Sequence, residues 1–334
     1  MDGQRAVDGW RGTPRAGAAR APAGGSLLRP AGAGLPPVVH VGGAPGDGRP
    51  RSYDEVVRGP GSPELRRVRR GAYVLASDWS GWDAATRHRA RIAAVLAVAQ
   101  EPPVLSHWSA AVLHGLPVVG RVDDRVHTVR AAATGGRSRR DLVRHTTALP
   151  FAPVLVDGVP ATSVARTILD VARVGGAAAA VVAGDHALRV GRVRLAELEA
   201  ELGSLPPRAR GAREARRAVG LLDARSESPG ESLSRVRMDE GGLTAPVLQH
   251  VVRDVHGEAG RVDFWWPAAR VVGEFDGRTK YRGDDGADPA EVVWREKVRE
   301  DRIRATGVTV VRWTWREAWA GRPLVALLRR AGVR

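Results

Sequence analysis

Cysteine is absent from the 334-residue chain, which excludes a disulfide scaffold, a thiolate zinc site and a cysteine nucleophile. The absence also fits a reducing cytosol. Lysine is nearly absent: Lys280 and Lys297 are the only two, so almost every fixed cation is an arginine. No uninterrupted apolar run reaches the ~18 residues that a membrane span needs. The arginine-containing N-terminus lacks the apolar stretch of a secretory signal. Together these absences predict a soluble cytoplasmic protein with no membrane partner.

What is present is positive charge. Lys+Arg is 52 against Asp+Glu 37, a net charge of +15, with a sequence pI near 11.4. One source is a polyanionic partner such as DNA, since guanidinium grips phosphate bidentately. The other is GC-rich codon usage, which also accounts for abundant Ala, Gly and Pro. The charge is uneven: residues 1–50 carry 6 basic and 3 acidic residues, 51–225 carry 27 and 17, and 226–334 carry 19 and 17. A basic binding part followed by a carboxylate-centred chemical part fits that split, as do two ordinary domains. The length has room for two domains of roughly 100–200 residues.

The first 50 residues are Gly/Ala/Pro/Arg-rich without a sustained period; they are expected to be disordered, because they cannot bury enough apolar surface to offset chain entropy. A start codon assigned too far upstream would leave the same composition. Residues 51–205 are expected to form a basic, mainly helical domain with a small β part. Leu65–Leu75 reads as a basic strand turning at Gly71 into an apolar one. Helices are expected over 83–100 and 106–115, strands near 125–130 and 142–147, and helices over 162–173, 176–190 and 194–202. Arg66, Arg67, Arg69 and Arg70, with Arg137, Arg139 and Arg140 in the loop between the later strands, could contact a nucleic-acid backbone. A charged edge strand that resists aggregation explains the first four equally well. His107 and His114 share one helix seven residues apart, a spacing that suits packed or surface histidines better than a metal site. Residues 206–225 read as a helical linker.

Residues 226–334 hold the strongest signal. Ser228 caps a helix with Pro229 at its first position and Glu231 at its third, the pattern of a capping box. Strands follow over 246–254, 261–266 and 271–277. A turn centred between Ala268 and Ala269 makes antiparallel partners sum to 537, which sets Asp263 opposite Glu274 and Arg261 opposite Asp276. Alternation puts Asp276 beside Glu274. Three carboxylates on so apolar a hairpin call for a compensating cation, either Arg261 or a divalent ion, and oxygen ligands favour Mg²⁺ or Mn²⁺ over zinc. A charged helix from about 290 to 306, a strand over 308–315 and a final helix near 323–331 complete a mixed α+β unit with a parallel crossover.

A helix acid, a hairpin bearing Asp and then Glu, and a crossover to a fourth strand resemble the PD-(D/E)XK nuclease core. The segments Arg261-Val262-Asp263-Phe264, Gly273-Glu274-Phe275-Asp276-Gly277 and Val311-Arg312-Trp313-Thr314-Trp315 are similar to the very-short-patch-repair-type nuclease domain. The middle region is similar to proteins related to type IV abortive-infection antitoxins, which carry a winged helix. The resemblance implies a restriction-endonuclease-like fold, DNA as partner, a cognate toxin of unknown identity, and Mg²⁺-assisted phosphodiester hydrolysis. Asp263 and Glu274 match the motif acids and Glu231 the helix acid. Asp276 stands where the family has lysine, so Lys280 or Lys297 would have to supply the amine, or Asp276 would serve as a third metal ligand. Trp265, Trp266 and Trp313 are core residues or base-stacking platforms. Loss of the motif lysine favours a second reading, a non-catalytic DNA-binding regulator or antitoxin on a degenerate nuclease fold. A protein-interaction module is the third.

Overall fold

The computed structural model of the protein describes residues 27–28, 34–40, 64–120, 123–131, 138–148, 151–277 and 289–334. Among these residues it is a mixed α+β structure with three sheets. Contacts divide the chain into two compact units, one within residues 2–175 and 195–212, the other within 176–194 and 213–334.

In the first unit, β1 (Leu27–Leu28), β2 (Val38–His40), β3 (Leu65–Arg69) and β4 (Ala72–Leu75) form a sheet in the order β1-β2-β4-β3. The basic strand and its apolar partner turn at Gly71, whose φ of 79° suits glycine. The expectation of disorder through residue 50 fails at β2. Val38 and Val39 are buried and pair towards β4, because two adjacent β-branched residues dominate locally over the Gly/Pro-rich average around them. Helices α1 (Ala76–Gly81) and α2 (Ala84–Leu96) follow, the latter capped by Asp83, which accepts from the Thr86 N–H. Ala90, Ala93 and Ala94 line one face of α2 and pack on Val38, Ala72, Val74 and Trp79.

A second sheet in the same unit has the order β7-β6-β5-β9-β8. Its strands are β5 (Val104–Leu105), β6 (Val126–Ala131), β7 (Leu142–Thr147), β8 (Val154–Val156) and β9 (Val159–Ala161). Helix α3 (His107–Leu113) packs near β6, and β6 and β7 run parallel. The β component is therefore larger than the small winged part expected, since the short strands 104–105, 154–156 and 159–161 carry too few residues to show a period.

Helix α4 (Val164–Arg189) is broken at Gly176, where φ is 83° and ψ 172°. It is long and apolar enough to cross a membrane by composition, but its most apolar stretch is 72% buried inside the protein, as in a core helix. Its second half belongs to the carboxy-terminal unit, as does α6 (Ala212–Leu221), whereas α5 (Leu195–Ser204) belongs to the first. Segment 176–194, placed by composition within the basic domain, thus packs elsewhere: buried Asp185 pairs with Arg235 at 2.8 Å and accepts from the Asp223 N–H.

The carboxy-terminal unit runs α7 (Pro229–Glu240), β10 (Val247–Asp254), β11 (Gly257–Trp266), β12 (Val271–Asp276), α8 (Pro289–Ala305), β13 (Thr309–Thr314), α9 (Trp315–Ala320) and α10 (Arg322–Arg330). Sheet order is β10-β11-β12-β13, with β12 and β13 parallel across the α8 crossover. The β11–β12 pairs Phe264–Gly273, Trp265–Val272 and Trp266–Val271 keep the expected sum of 537. Helix α7 lies close on the sheet because glycine permits it. A Cβ at Gly230 would stand 2.1 Å from the Phe275 ring, and one at Gly273 2.6 Å from Trp313. Trp313 donates to Ser234 Oγ at 2.8 Å, tying β13 to the same helix. On the other side Val272 packs with Val252, Val262 and Ile303 of α8. Gly230→Ala is expected to cost about 1–3 kcal/mol through overpacking, read as a lower urea midpoint, and Phe275→Leu on that background should restore part of the loss.

Candidate functional site

Glu274 reaches the surface of the sheet through alternation on β12 and stands opposite Arg312 in the parallel register with β13. Its carboxylate is gripped from two directions: Arg299 Nη2 of α8 lies 2.6 Å from Oε1, and Arg312 Nη2 lies 2.8 Å from Oε2. Both arginines also hold Glu296, and Arg312 holds Glu300. Hydrogen bonds that it donates to Glu296, and then to Glu274, hold the Arg299 guanidinium above its ordinary range. The expected compensation by Arg261 is not what forms. Arg261 turns outward to a bidentate pair with Glu227, at 2.8 Å for each bond.

Asp263 does something that strand pairing alone does not predict. The β11–β12 ladder ends at Phe264–Gly273, and the Asp263 side chain takes over: its Oδ2 accepts from the Phe275 N–H at 2.8 Å. On its other flank the β10–β11 pairing skips Gln249, which lies between Leu248–Phe264 and His250–Val262. Gln249 has a φ of 54°, a left-handed backbone unusual for a strand residue. Its side-chain amide donates to Glu231 Oε2 at 3.0 Å, and the same oxygen accepts from the Glu227 N–H at 2.9 Å. Glu231 also fills the capping position expected of it, with its own N–H donated to Ser228 Oγ at 3.2 Å. The reciprocal bond goes to Glu227 rather than to the Ser228 amide, which aims the carboxylate inward. Burial, and then the Asp263 charge, push the Glu231 carboxyl up to about 7. Glu231, Gln249 and Asp263 therefore gather at one interruption of the sheet.

Asp276 is half-buried and faces Thr314 in register. Lys280 lies outside the described residues, as does Arg137. Lys297 is exposed, its ammonium 6.0 Å from the Trp294 ring. Trp266 and Trp313 are core residues, 3% and 2% exposed, while half-buried Trp265 stacks on His250. Strand β3 is a sheet edge. Arg66, Arg67 and Arg70 are exposed on or beside it, and Arg139 and Arg140 are exposed as well. Arg69 is half-buried and paired with Asp141 at 3.0 Å. Arg66, Arg87 and Arg91 surround the Trp79 ring, with guanidinium carbons 4.9, 5.7 and 5.2 Å from its centroid.

A further cluster went unread in the sequence. His107 does not act with His114, whose Nε2 lies 2.8 Å from the Thr162 carbonyl oxygen. It meets His127 of β6 and His145 of β7 instead. Parallel pairing sets Val143 beside His127 and His145 beside Val129, so the two histidines lie on one face, two residues apart along the pair. The His127 Nδ1 to His145 Nε2 distance is 2.9 Å, and the His107 and His145 rings stack at 3.6 Å. The signal was present in the alternation of the two strands, but only the parallel register brings it together.

Comparison with known proteins finds two relatives in Mycobacterium tuberculosis, one from strain CDC 1551 / Oshkosh and one from strain H37Rv, each described only as an uncharacterized protein. Each is 35% identical to this chain over 156 residues, 47% of this chain and 55% of the relative. The chain thus spans about half the length of these relatives. No family model matches, and no solved structure does.

The raised Glu231 carboxyl carries a pH consequence. The folded protein keeps this proton to about 7, whereas the unfolded chain releases it near 4.5. Stability is fully present below the lower value and falls as pH rises through that window. Thermal melts should show a decline on the order of 2 kcal/mol between those limits, and Glu231→Gln should flatten it and leave the variant more stable than the parent at pH 8.

Proposed function

We propose that the protein acts on DNA as a metal-dependent endonuclease of the phosphodiester-hydrolysing kind. The observation that carries this reading is the meeting of a helix acid, Glu231, with a strand acid, Asp263, at the interruption of a β10-β11-β12-β13 sheet. Two neighbouring carboxylates at partly buried positions repel one another, and a dication between them would relieve that repulsion. Their oxygens are the donors Mg²⁺ or Mn²⁺ takes. Glu274, the second acid of the motif, fits less well, because two guanidinium groups already share its oxygens. When bound, the ion would lower the pKa of a coordinated water and polarise a phosphoryl oxygen.

The chain's own residues would do the rest. Gln249 fixes one Glu231 oxygen and so orients the carboxylate. The Phe275 N–H holds Asp263 against β12. Arg66, Arg67, Arg70, Arg139 and Arg140 are exposed surface cations suited to phosphate contacts, which position a duplex without reading its sequence. A cytoplasmic site of action follows from this partner.

A second reading draws on a different observation. The Arg299–Glu274–Arg312 clamp neutralises the acid that a nuclease would direct to its metal. On that reading the protein is a non-catalytic DNA-binding regulator or antitoxin.

Purified protein given Mg²⁺ or Mn²⁺ and supercoiled, mismatched or single-stranded DNA is expected to nick it, with Asp263→Asn falling to background while its circular dichroism is unchanged. No cleavage above the Asp263→Asn control overturns the nuclease reading. Salt-steep binding unchanged by Asp263→Asn would then support the regulator. In either case each Arg→Ala change at Arg66, Arg67 or Arg70 should weaken binding and lower the log–log salt slope by about 1.

A further inference from the structure

We propose that His107, His127 and His145 form a binding site for a transition-metal dication of the zinc class, separate from the carboxylate cluster. One ring nitrogen from each lies within 4.8 Å of the others. Tetrahedral zinc with Zn–N bonds of about 2.0–2.1 Å needs its nitrogens roughly 3.3 Å apart. The 2.9 Å between His127 Nδ1 and His145 Nε2 is slightly under that span, so modest ring rotation brings the set to it. The stacked His107 ring would tilt off His145 in the process.

The groups around the three rings are those that support metal-bound histidines. A ligating histidine characteristically donates its second ring N–H to a carboxylate, carbonyl or hydroxyl, which fixes tautomer and orientation. His127 Nε2 is buried without a hydrogen-bond partner. The nearest carboxylate, Asp123 Oδ2, stands 3.7 Å from it, held there by Arg125. With Nδ1 as the ligand atom, Nε2–H points at Asp123. His107 Nδ1 lies 3.0 Å from Ser106 Oγ, which leaves Nε2 for the ion. The His127 main chain is itself pinned, its N–H donated to Ser109 Oγ at 2.8 Å.

Backbone strain marks the same place. His107 has a φ of 49° at the first turn of α3, a left-handed conformation that costs free energy in a non-glycine residue and persists where the surroundings impose it. His107 and His127 are 5% exposed each, and His145 is half-buried. Burial foremost, then the neighbouring rings at His107 and His127 and the Arg173 and Arg125 charges at His145, keep all three imidazoles below their ordinary basicity, and so in the neutral form that ligates. Three imidazole nitrogens and no thiolate suit zinc, cobalt or nickel rather than magnesium. Such an ion would clasp α3 to the two parallel strands of the amino-terminal unit.

The test is titration of the tag-free, full-length, chelator-stripped protein with Co²⁺ and with Zn²⁺. Co²⁺ is expected to bind at one equivalent with the intense visible absorption of a four-coordinate nitrogen site, and Zn²⁺ to displace it. His145→Gln, at the half-buried ligand, should abolish the band, and Asp123→Asn should weaken Zn²⁺ affinity about 10–100-fold. Asp263→Asn, in the carboxylate cluster, should leave both unchanged, as should His114→Gln. Absence of a one-equivalent Co²⁺ band, or a band that survives His145→Gln, overturns the proposal. So does a band lost in Asp263→Asn, which would place the ion at the carboxylates.

Discussion

The charge network centred on Glu274, with the bidentate Arg302–Asp254 pair, joins the crossover helix to the sheet in the carboxy-terminal unit. Helix α8 is strongly polar, with Ile303 as a buried apolar anchor. Arg299 and Arg312 share Glu274 and Glu296, and Arg312 also holds Glu300, which fixes the helix's register against the strands. A partly buried ion network of this kind adds little net stability over an apolar equivalent, but removing one member strands the others. It therefore acts as a positional constraint more than as a source of stability. It also sets the acids apart, since Glu274 is paired with two arginines whereas Glu231 lies within reach of the Asp263 charge.

That division changes the reading of the sheet. Register arithmetic places Asp263 and Glu274 side by side, and the three observed pairs keep that arithmetic. The ladder nevertheless stops one residue short, because a carboxylate can replace a main-chain carbonyl as acceptor for the Phe275 N–H. A side chain spent in this way is drawn along the strand towards α7 and Glu231. The capping role of Glu231 and its placement beside Asp263 are thus one arrangement, produced by Ser228 on one side and Gln249 on the other.

Much of the architecture is legible in the sequence. Helix α7, the three-strand meander, the crossover and β13 follow from Ser228-Pro229, the turn at 267–270, Gly307 and alternating apolar residues. The compensating cations were not readable, because Arg299 and Arg312 lie 25 and 38 residues beyond Glu274 and meet it only through the parallel pairing of β12 and β13. His127 and His145 were hidden for the same reason, as partners made by a parallel register. Val38 and Val39 were missed because composition averaged over fifty residues conceals a two-residue apolar anchor. Short strands such as 154–156 have no room to display a period at all.

Strand β10 is the outer member of its sheet, and its irregularities have an effect beyond the site. The left-handed Gln249 and the register shift at Val252–Arg253 make its outer edge irregular. Unpaired N–H and C=O groups along a straight, apolar edge would offer a template to another copy of the chain. Here the same kink that aims an amide at Glu231 breaks up that template, so the protein gains resistance to edge-to-edge self-association from a distortion whose first use is local.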